Sequence, residues 1–207
     1  LFIPVIHIES GLRSRFLNSK EEINRRVTDK LSKLNFAPTP NALKNLQIEG
    51  LKKNSFYVGN IIIENFFNLK KKILLSKILK KLRLQKYEYI LVTLHRYQNI
   101  DNKKQLKKII DKILEYSSKY KIVFCIHPRT KEKIKNLSKD FFNEKKIIFI
   151  DSLPYSSFTN LLINSKFIIT DSGGVLEESY FHEKICYIIR NDIERTELIN
   201  LSLIHIS

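Results

Sequence analysis

The sequence contains no methionine, and it has only two cysteines, five glycines and five prolines among its 207 residues. Because a native bacterial or eukaryotic chain should begin with methionine, we expect this sequence to start partway through a gene product, as an internal fragment. Both cysteines, Cys125 and Cys186, lie within predicted buried strands, where a free thiol behaves as a small apolar group. With no extracellular signature, the sequence predicts a reducing, cytoplasmic setting.

Long apolar runs and targeting signals are also missing. No run reaches the roughly 18 apolar residues of a membrane span, so we predict no membrane association. Residues 1–8 lack a basic leader and a small-residue cleavage site, which argues against a signal peptide and predicts a buried strand instead. The spacings His-x3-His and Cys-x2-Cys do not occur, so we predict no metal site.

Acidic residues are scarce relative to basic ones: 21 against 37, for a net charge of +16. Such a balance suits anionic partners, including nucleic acid, anionic lipid and phosphorylated metabolites. The lysines fall mostly on the solvent faces of predicted helices, without the interleaved aromatic residues that single-strand binders use. We therefore predict that nucleic acid is not the partner.

From residue 87 onward, continuous apolar runs alternate with helical patterns. The predicted strands are 87–94, 121–126, 147–150, 167–170 and 186–189, and the predicted helices are 103–118, 131–138, 155–164 and 175–181. This alternation predicts an α/β domain with a parallel sheet covered on both faces. Residues 201–207 match neither a helix nor a strand pattern.

Residues 1–69 show the same kind of alternation over shorter segments. A helix is predicted over 21–34, and its apolar face is formed by Ile23, Val27, Leu31 and Leu34. Short strands are predicted at 35–37 and 55–58, and a helix over 41–49. A lysine-rich helix over 61–84 then predicts a linker between two domains.

The most informative segment follows the strand predicted at 167–170. It reads Asp171, Ser172, Gly173 and Gly174, and the helix that follows contains Glu178. Amide groups at a helix N-terminus bind phosphate, and a carboxylate farther along can hold a ribose hydroxyl. The alternative is a plain strand-to-helix turn that uses glycine for tightness.

Polar residues follow several other predicted strands, and in a parallel sheet they share one edge. These residues are His95, Arg96, His127, Ser152 and Arg190. A lone histidine in such a place is commonly structural, but two beside a phosphate-type turn favour a functional role.

Two carboxylates in the first segment suggest acid/base chemistry. Glu9 follows a strand and Glu21 opens a helix, so the two could form an acid/base pair or, for Glu21, simply favour the helix dipole. Arg195, in a charged turn, could contact an anion or only solvent.

Together these segments resemble the bacterial non-hydrolysing UDP-N-acetylglucosamine 2-epimerases. The matching segments are His7-Ile8-Glu9-Ser10-Gly11-Leu12-Arg13, Glu21-Glu22-Ile23-Asn24-Arg25, Val58-Gly59-Asn60, Thr93-Leu94-His95-Arg96, His127-Pro128 and Thr170-Asp171-Ser172-Gly173-Gly174. The resemblance implies a GT-B-type fold: two Rossmann-like domains around a cleft, the first truncated at its start. It assigns 1–69 to the first domain, 70–86 to a linker and 87–207 to a UDP-binding domain. It also implies a homodimer that needs no cofactor.

The resemblance also implies a role for each site residue. The catalytic residues would be Glu9, Glu21 and His95. The UDP-sugar would be bound by Arg96, His127, Phe158, Ser172, Gly173, Gly174, Glu178 and Arg195. The reaction would interconvert UDP-GlcNAc and UDP-ManNAc by elimination and re-addition of UDP, for surface polysaccharide precursors.

Several alternatives remain open at this point. A GT-B glycosyltransferase could use the same UDP-sugar half-site without needing Glu9 and Glu21. A hydrolysing epimerase is close in chemistry, but its strand-end motif differs from the segment around Glu9. The chain could also be a non-catalytic UDP-sugar-binding remnant, or a basic nucleic-acid binder whose binding would be sensitive to salt.

Overall fold

The computed structural model describes residues 3–14 and 20–190, together with the backbone of 204–206. It divides into two compact units, whose described parts are residues 3–14 and 20–66 in the first and residues 67–190 with 204–206 in the second. Among the described residues, no helix combines the length and the apolar character that crossing a membrane requires.

The first unit contains a three-stranded parallel sheet. Its elements are β1 (Ile6–Ile8), α1 (Lys20–Leu31), β2 (Leu34–Ala37), α2 (Pro40–Ile48), a short 3-10 helix (Lys52–Asn54), β3 (Ser55–Tyr57) and the beginning of α3 (Ile61–Leu74). The strand order is β1-β2-β3, and both pairings are parallel. Helix α2 begins where the Thr39 hydroxyl accepts the Ala42 N–H at 3.1 Å, with Pro40 in the first turn.

Two predictions for this unit are wrong. The apolar face predicted for α1 is exposed, with Leu31 77% accessible, whereas the buried residues of α1 are Glu22 and Asp29. Ion pairs made by these two carboxylates turn the opposite face of the helix inward. The predicted buried first strand is likewise exposed at Ile6 and Ile8.

The second unit contains a six-stranded sheet whose pairings are all parallel. Its strands are β4 (Tyr89–Leu94), β5 (Lys121–Ile126), β6 (Ile147–Ile150), β7 (Phe167–Thr170), β8 (Cys186–Ile188) and β9 (Ile204–Ile206). Its helices after α3 are α4 (Ile78–Lys81), α5 (Tyr97–Ile100), α6 (Lys103–Ser117), α7 (Pro128–Leu137), α8 (Tyr155–Asn164) and α9 (Gly173–Phe181), with a 3-10 helix at Lys139–Asn143. The strand order is β6-β5-β4-β7-β8-β9. The predicted parallel α/β sheet is confirmed.

Three local differences from the predictions stand out in this unit. The helix predicted over 61–84 is interrupted near Ser76, whose hydroxyl accepts the Ile78 N–H at 3.4 Å. The short helix α5 escaped prediction because four residues are too few to show a period. Strand β9 forms where neither helix nor strand was predicted, and it pairs with β8.

The order of the strands places the functional edge of the sheet. The chain runs outward from β4 to β5 and β6, then returns to lay β7 on the other side of β4. Ligands of open parallel sheets bind beyond the carboxyl ends of the strands at such a reversal. Here that point lies between the ends of β4 and β7, which are followed by His95 and Asp171.

Candidate functional site

Two backbone donors at the N-terminus of α9 have no partner among the described residues. Ser172 caps this helix: its hydroxyl accepts the Val175 N–H at 3.5 Å, and its own N–H donates to Thr170 Oγ1 at 3.0 Å. Among the hydrogen bonds between described residues, none uses the N–H of Gly173 or Gly174. A Cβ placed on Gly174 would meet nothing within 4 Å, so the space there is open. Free amides at a helix N-terminus, together with the helix dipole, are an arrangement that favours anions.

Asp171 joins the ends of β4 and β7. Its carboxylate is buried and accepts the N–H groups of His95, at 3.1 Å, and Arg96, at 2.9 Å. It also accepts the Asn99 side-chain amide at 3.1 Å, and it lies 3.1 Å from His95 Nδ1. Burial acts to raise the pKa of Asp171, but hydrogen bonds from His95, Arg96 and Asn99 outweigh it and lower that pKa. Asp171 is therefore a buried, ionised side chain with a fixed position at the carboxyl edge of the sheet. The sequence did not predict this role.

Glu178 lies farther along α9, where its side chain is buried. Burial raises the pKa of Glu178 to about 6, and the charge of Glu177 adds to this, against a hydrogen bond from Thr159 Oγ1 at 3.0 Å. Thr159 and the half-buried Phe158 both belong to α8. The contact of Thr159 with Oε2 fixes the orientation of the Glu178 carboxylate.

The other residues that follow strands at the carboxyl edge of the sheet differ in their surroundings. The His95 side chain is half-exposed, and Arg96 is partly buried. His127 is exposed and caps α7, because its Nδ1 accepts the Arg129 N–H at 3.3 Å. The structure therefore gives His127 a structural hydrogen bond in addition to any predicted contact with a ligand.

The predicted carboxylates of the first unit occupy distinct places. Glu9 follows β1 directly, in the left-handed region with φ +65°, a conformation that stores backbone strain in a residue with a side chain. Glu21 lies in the first turn of α1 and is exposed. Such strain is frequent at functional positions, so this conformation is consistent with the role predicted for Glu9.

A buried ion-pair network centred on Glu22 lies in the first unit, and sequence reasoning missed it. The Glu22 carboxylate accepts the Ser14 N–H at 3.0 Å and the guanidinium groups of Arg25 and Arg26 at 3.2 and 2.8 Å. Glu22 is fully buried. Its spacing from Asp29 is seven residues, two helical turns, which was a signal that both carboxylates share one face of α1.

Asp29 extends this network toward the loop after β1. It pairs with Arg13 at 2.7 Å and with His7 Nδ1 at 2.5 Å, and Arg13 also binds Glu49 at 2.6 Å. Burial acts to raise the pKa of Asp29, but hydrogen bonds from His7 and Arg13 overcome it and hold that pKa below its ordinary value. Asp29 is therefore ionised at neutral pH, and its contacts with Arg13 and with the Gly11 N–H fix the loop that begins at Glu9.

The loop is also held by the glycine that follows Ser10. Gly11 has φ +79°, and a Cβ there would lie 2.3 Å from the Ala42 carbonyl oxygen. Its N–H donates to Asp29 at 3.2 Å, and its carbonyl accepts the Asn45 amide at 2.9 Å. Glycine is needed here for both conformation and close approach.

Two further predictions concern a metal and Arg195. Within the described ranges, no group of three or more His, Cys, Asp or Glu side chains is arranged to hold a metal ion. Arg195 lies outside the residues that the structure describes.

Comparison with known proteins identifies the family. The profile of the UDP-N-acetylglucosamine 2-epimerase family matches residues 1–205. The chain belongs to this family. A UDP-N-acetylglucosamine 2-epimerase of Methanocaldococcus jannaschii is 41% identical over 97% of this chain and 57% of its own length. The UDP-2,3-diacetamido-2,3-dideoxy-D-glucuronate 2-epimerase of Pseudomonas aeruginosa is 33% identical over 96% of this chain and 55% of its length.

Solved structures of the family are similar to this fold. The M. jannaschii UDP-GlcNAc 2-epimerase in complex with UDP-GlcNAc and UDP matches with a TM-score of 0.89 at 38% identity, covering 99% of this chain and 58% of that one. The Neisseria meningitidis UDP-GlcNAc 2-epimerase bound to UDP-GlcNAc matches with a TM-score of 0.82 at 28% identity, covering 98% and 57%. The chain thus spans somewhat more than half the length of the relatives it matches. The predicted α/β fold of the GT-B type is confirmed.

Proposed function

We propose that this chain supplies the UDP-binding site of an epimerase that interconverts UDP-GlcNAc and UDP-ManNAc. The observation that carries the proposal is the N-terminus of α9, where the amides of Gly173 and Gly174 are unused, in a chain of this family. A diphosphate is the part of a UDP-sugar that two free amides at a helix N-terminus recognise.

The reaction proceeds by elimination of UDP followed by its re-addition. A carboxylate, Glu9 or Glu21, removes the proton from C2, and the electrons of that C–H bond form a double bond between C1 and C2. The bond from C1 to the diphosphate oxygen breaks, and its electron pair leaves with UDP. The intermediate is a 2-acetamidoglucal. Re-addition of UDP at C1, with a proton delivered to the other face of C2, inverts that carbon. Only acid/base groups and stabilisation of the departing diphosphate are required, and neither a cofactor nor a metal takes part.

Stabilisation of the leaving group falls to the edge formed by β4 and β7. The amides of Gly173 and Gly174 and the hydroxyl of Ser172 bind the diphosphate, with His95 as the catalytic residue beside it. The support for this assignment is that Asp171 ties His95 to the segment that bears the two glycines. Arg96 and His127 line the same carboxyl edge of the sheet and complete the assignment.

The nucleoside is assigned to α8, α9 and the segment that follows β8. Glu178 accepts the ribose hydroxyls through its carboxylate, which Thr159 holds in place. Phe158 lies beside the uracil, and Arg195 contacts the nucleotide-sugar. The neighbouring positions of Phe158 and Thr159 on α8 support placing the base and the ribose close together.

The sugar itself has a second candidate. The P. aeruginosa relative is named for a diacetamido-dideoxy-glucuronate carried on UDP, and it is 33% identical to this chain. A modified UDP-HexNAc is therefore the alternative substrate, with the same chemistry at C2.

The setting and assembly belong to the same proposal. We assign the protein to the cytoplasm, to a homodimer and to the supply of surface polysaccharide precursors, as the family resemblance implies. The free thiols of Cys125 and Cys186 support a reducing compartment. Sedimentation at micromolar concentration tests the dimer.

The test of the reaction is incubation of the protein with UDP-GlcNAc in D2O, followed by proton NMR. We expect UDP-ManNAc to appear with deuterium at C2, because the proton returned to C2 comes from solvent. Bound but unchanged UDP-GlcNAc would contradict the epimerase and leave a nucleotide-binding protein. Turnover of the diacetamido-glucuronate alone would select the alternative substrate.

A further inference from the structure

The His95 imidazole meets a buried carboxylate through one of its two nitrogens. Nδ1 lies 3.1 Å from Asp171 Oδ1, and the Asp171 side chain is fully buried while half of the His95 side chain is accessible. An ionised carboxylate only accepts hydrogen bonds, so the proton of this contact resides on Nδ1.

We propose that Asp171 is a positioning residue that fixes His95 as the Nδ1–H tautomer and presents its Nε2 to the diphosphate of the substrate. The part of this inference that concerns the substrate rests on the proposed function. The part that concerns the tautomer stands on the contacts of Asp171 alone.

The Asp171 carboxylate is held too firmly to adapt to the other tautomer. Its oxygens accept the backbone N–H groups of His95 and Arg96 and the side-chain amide of Asn99. The Asn99 amide is itself fixed by a second bond, at 3.0 Å, to the Ile189 carbonyl. The carboxylate therefore has one orientation, and the Nδ1–H bond is the one that His95 can add to it.

This arrangement has a direct chemical consequence. The hydrogen bond at one imidazole nitrogen decides which nitrogen is left to act. With Nδ1 engaged, neutral His95 offers an unprotonated Nε2. When His95 is protonated, Nε2–H becomes a donor for a diphosphate oxygen.

His127 provides an internal reference, because the structure predicts the opposite tautomer for its imidazole ring. Its Nδ1 accepts the Arg129 N–H at 3.3 Å, which requires the neutral ring to carry its proton on Nε2. His95 and His127, which both lie at the carboxyl edge of the sheet, are therefore expected to adopt opposite tautomers.

The experiment is long-range 15N–1H correlation NMR on the full chain labelled at histidine, at about pH 9, where imidazoles are neutral. His95→Gln and His127→Gln assign the two rings. We expect the proton on Nδ1 for His95 and on Nε2 for His127. Asp171→Asn should move the His95 proton to Nε2, whereas the matched control Asp101→Asn, in an exposed carboxylate that pairs with Arg129, should leave it on Nδ1.

Two results would overturn the proposal. One is a wild-type His95 ring protonated on Nε2, a measurement that holds even if Asp171→Asn fails to fold. The other is a folded Asp171→Asn chain in which the His95 proton stays on Nδ1. A UDP titration on the same samples distinguishes the proposed function from the role of Asp171. If the His95 proton lies on Nδ1 but the chain does not bind UDP, the proposed function is contradicted and the role of Asp171 is supported.

Discussion

The second unit is built around a large apolar core, whereas the first buries charges and leaves apolar side chains outside. One cluster in the second unit joins sixteen buried apolar residues, among them Phe124 and Ile110. A cluster in the first unit joins only Ala37, Ala42 and Leu46 among the described buried residues, and the same unit buries the carboxylates Glu22 and Asp29. The difference teaches that the second unit is stabilised mainly by the hydrophobic effect, whereas the first holds buried charges that become costly when one partner is removed. The two units should therefore respond differently to mutation and to pH.

The largest effect is expected from opening a cavity in the second unit. Phe124→Ala removes a fully buried ring and should lower the free energy of unfolding by about 3–5 kcal/mol. Leu31→Ala, at an exposed apolar position of the first unit, should change it by no more than about 0.5 kcal/mol. Urea unfolding measures both, and similar losses would contradict the contrast.

Breaking the ion pairs should be nearly as costly for the first unit. Asp29→Asn leaves the guanidinium of Arg13 with a weakened set of partners, and we expect a loss of about 3 kcal/mol. The control is Asp111→Asn, which removes an exposed pair with Lys107 and should cost less than about 1 kcal/mol. Equal effects in thermal unfolding would show that the buried network adds nothing.

Two glycines sharpen the comparison. Gly11→Ala should destabilise the first unit by about 1–3 kcal/mol or more, because its φ is positive and its Cβ would strike the Ala42 carbonyl. Gly174→Ala adds a methyl group in open space and should leave the second unit as stable or slightly more so. It should nevertheless weaken UDP binding by about tenfold or more, roughly 1.4 kcal/mol. Circular dichroism melts and UDP titrations of both variants distinguish the structural role of Gly11 from the proposed binding role of Gly174.

The remaining prediction concerns acid, and the sign of the effect on stability differs between the units. Glu178 has a folded pKa of about 6 against an ordinary value of 4.5, so folding favours its neutral form, and the second unit gains up to about 2 kcal/mol as pH falls from 7 to 4.5. The folded pKa of Asp29 lies below its ordinary 3.8, so its contribution is present above that value and is lost as pH falls further. Unfolding curves measured between pH 7 and acidic pH test both contributions, and Glu178→Gln removes the contribution of Glu178. UDP affinity should decline below about pH 6, as Glu178 loses its charge.

Five of the six strands of the second unit could be predicted to within about two residues, because short continuous apolar runs between turn signals are typical of buried strands in a parallel sheet. The segment from Asp171 to Gly174 was equally informative. The orientation of α1 was not predictable from its apolar spacing, because ion pairs of Glu22 and Asp29 decide which face is buried. The role of Asp171 was also hidden, since its partners His95 and Asn99 lie more than seventy positions away in sequence.

The most direct test of the central claim is calorimetric titration of the chain with UDP and with UMP, in the wild type and in Gly174→Ala. If the N-terminus of α9 binds the β-phosphate, UDP should bind the wild type at one site and more tightly than UMP. AMP, as the control for the base, should bind weakly. The advantage of UDP over UMP should disappear in Gly174→Ala. Equal affinities for UDP and UMP in the wild type, or an advantage that survives the substitution, would contradict the claim.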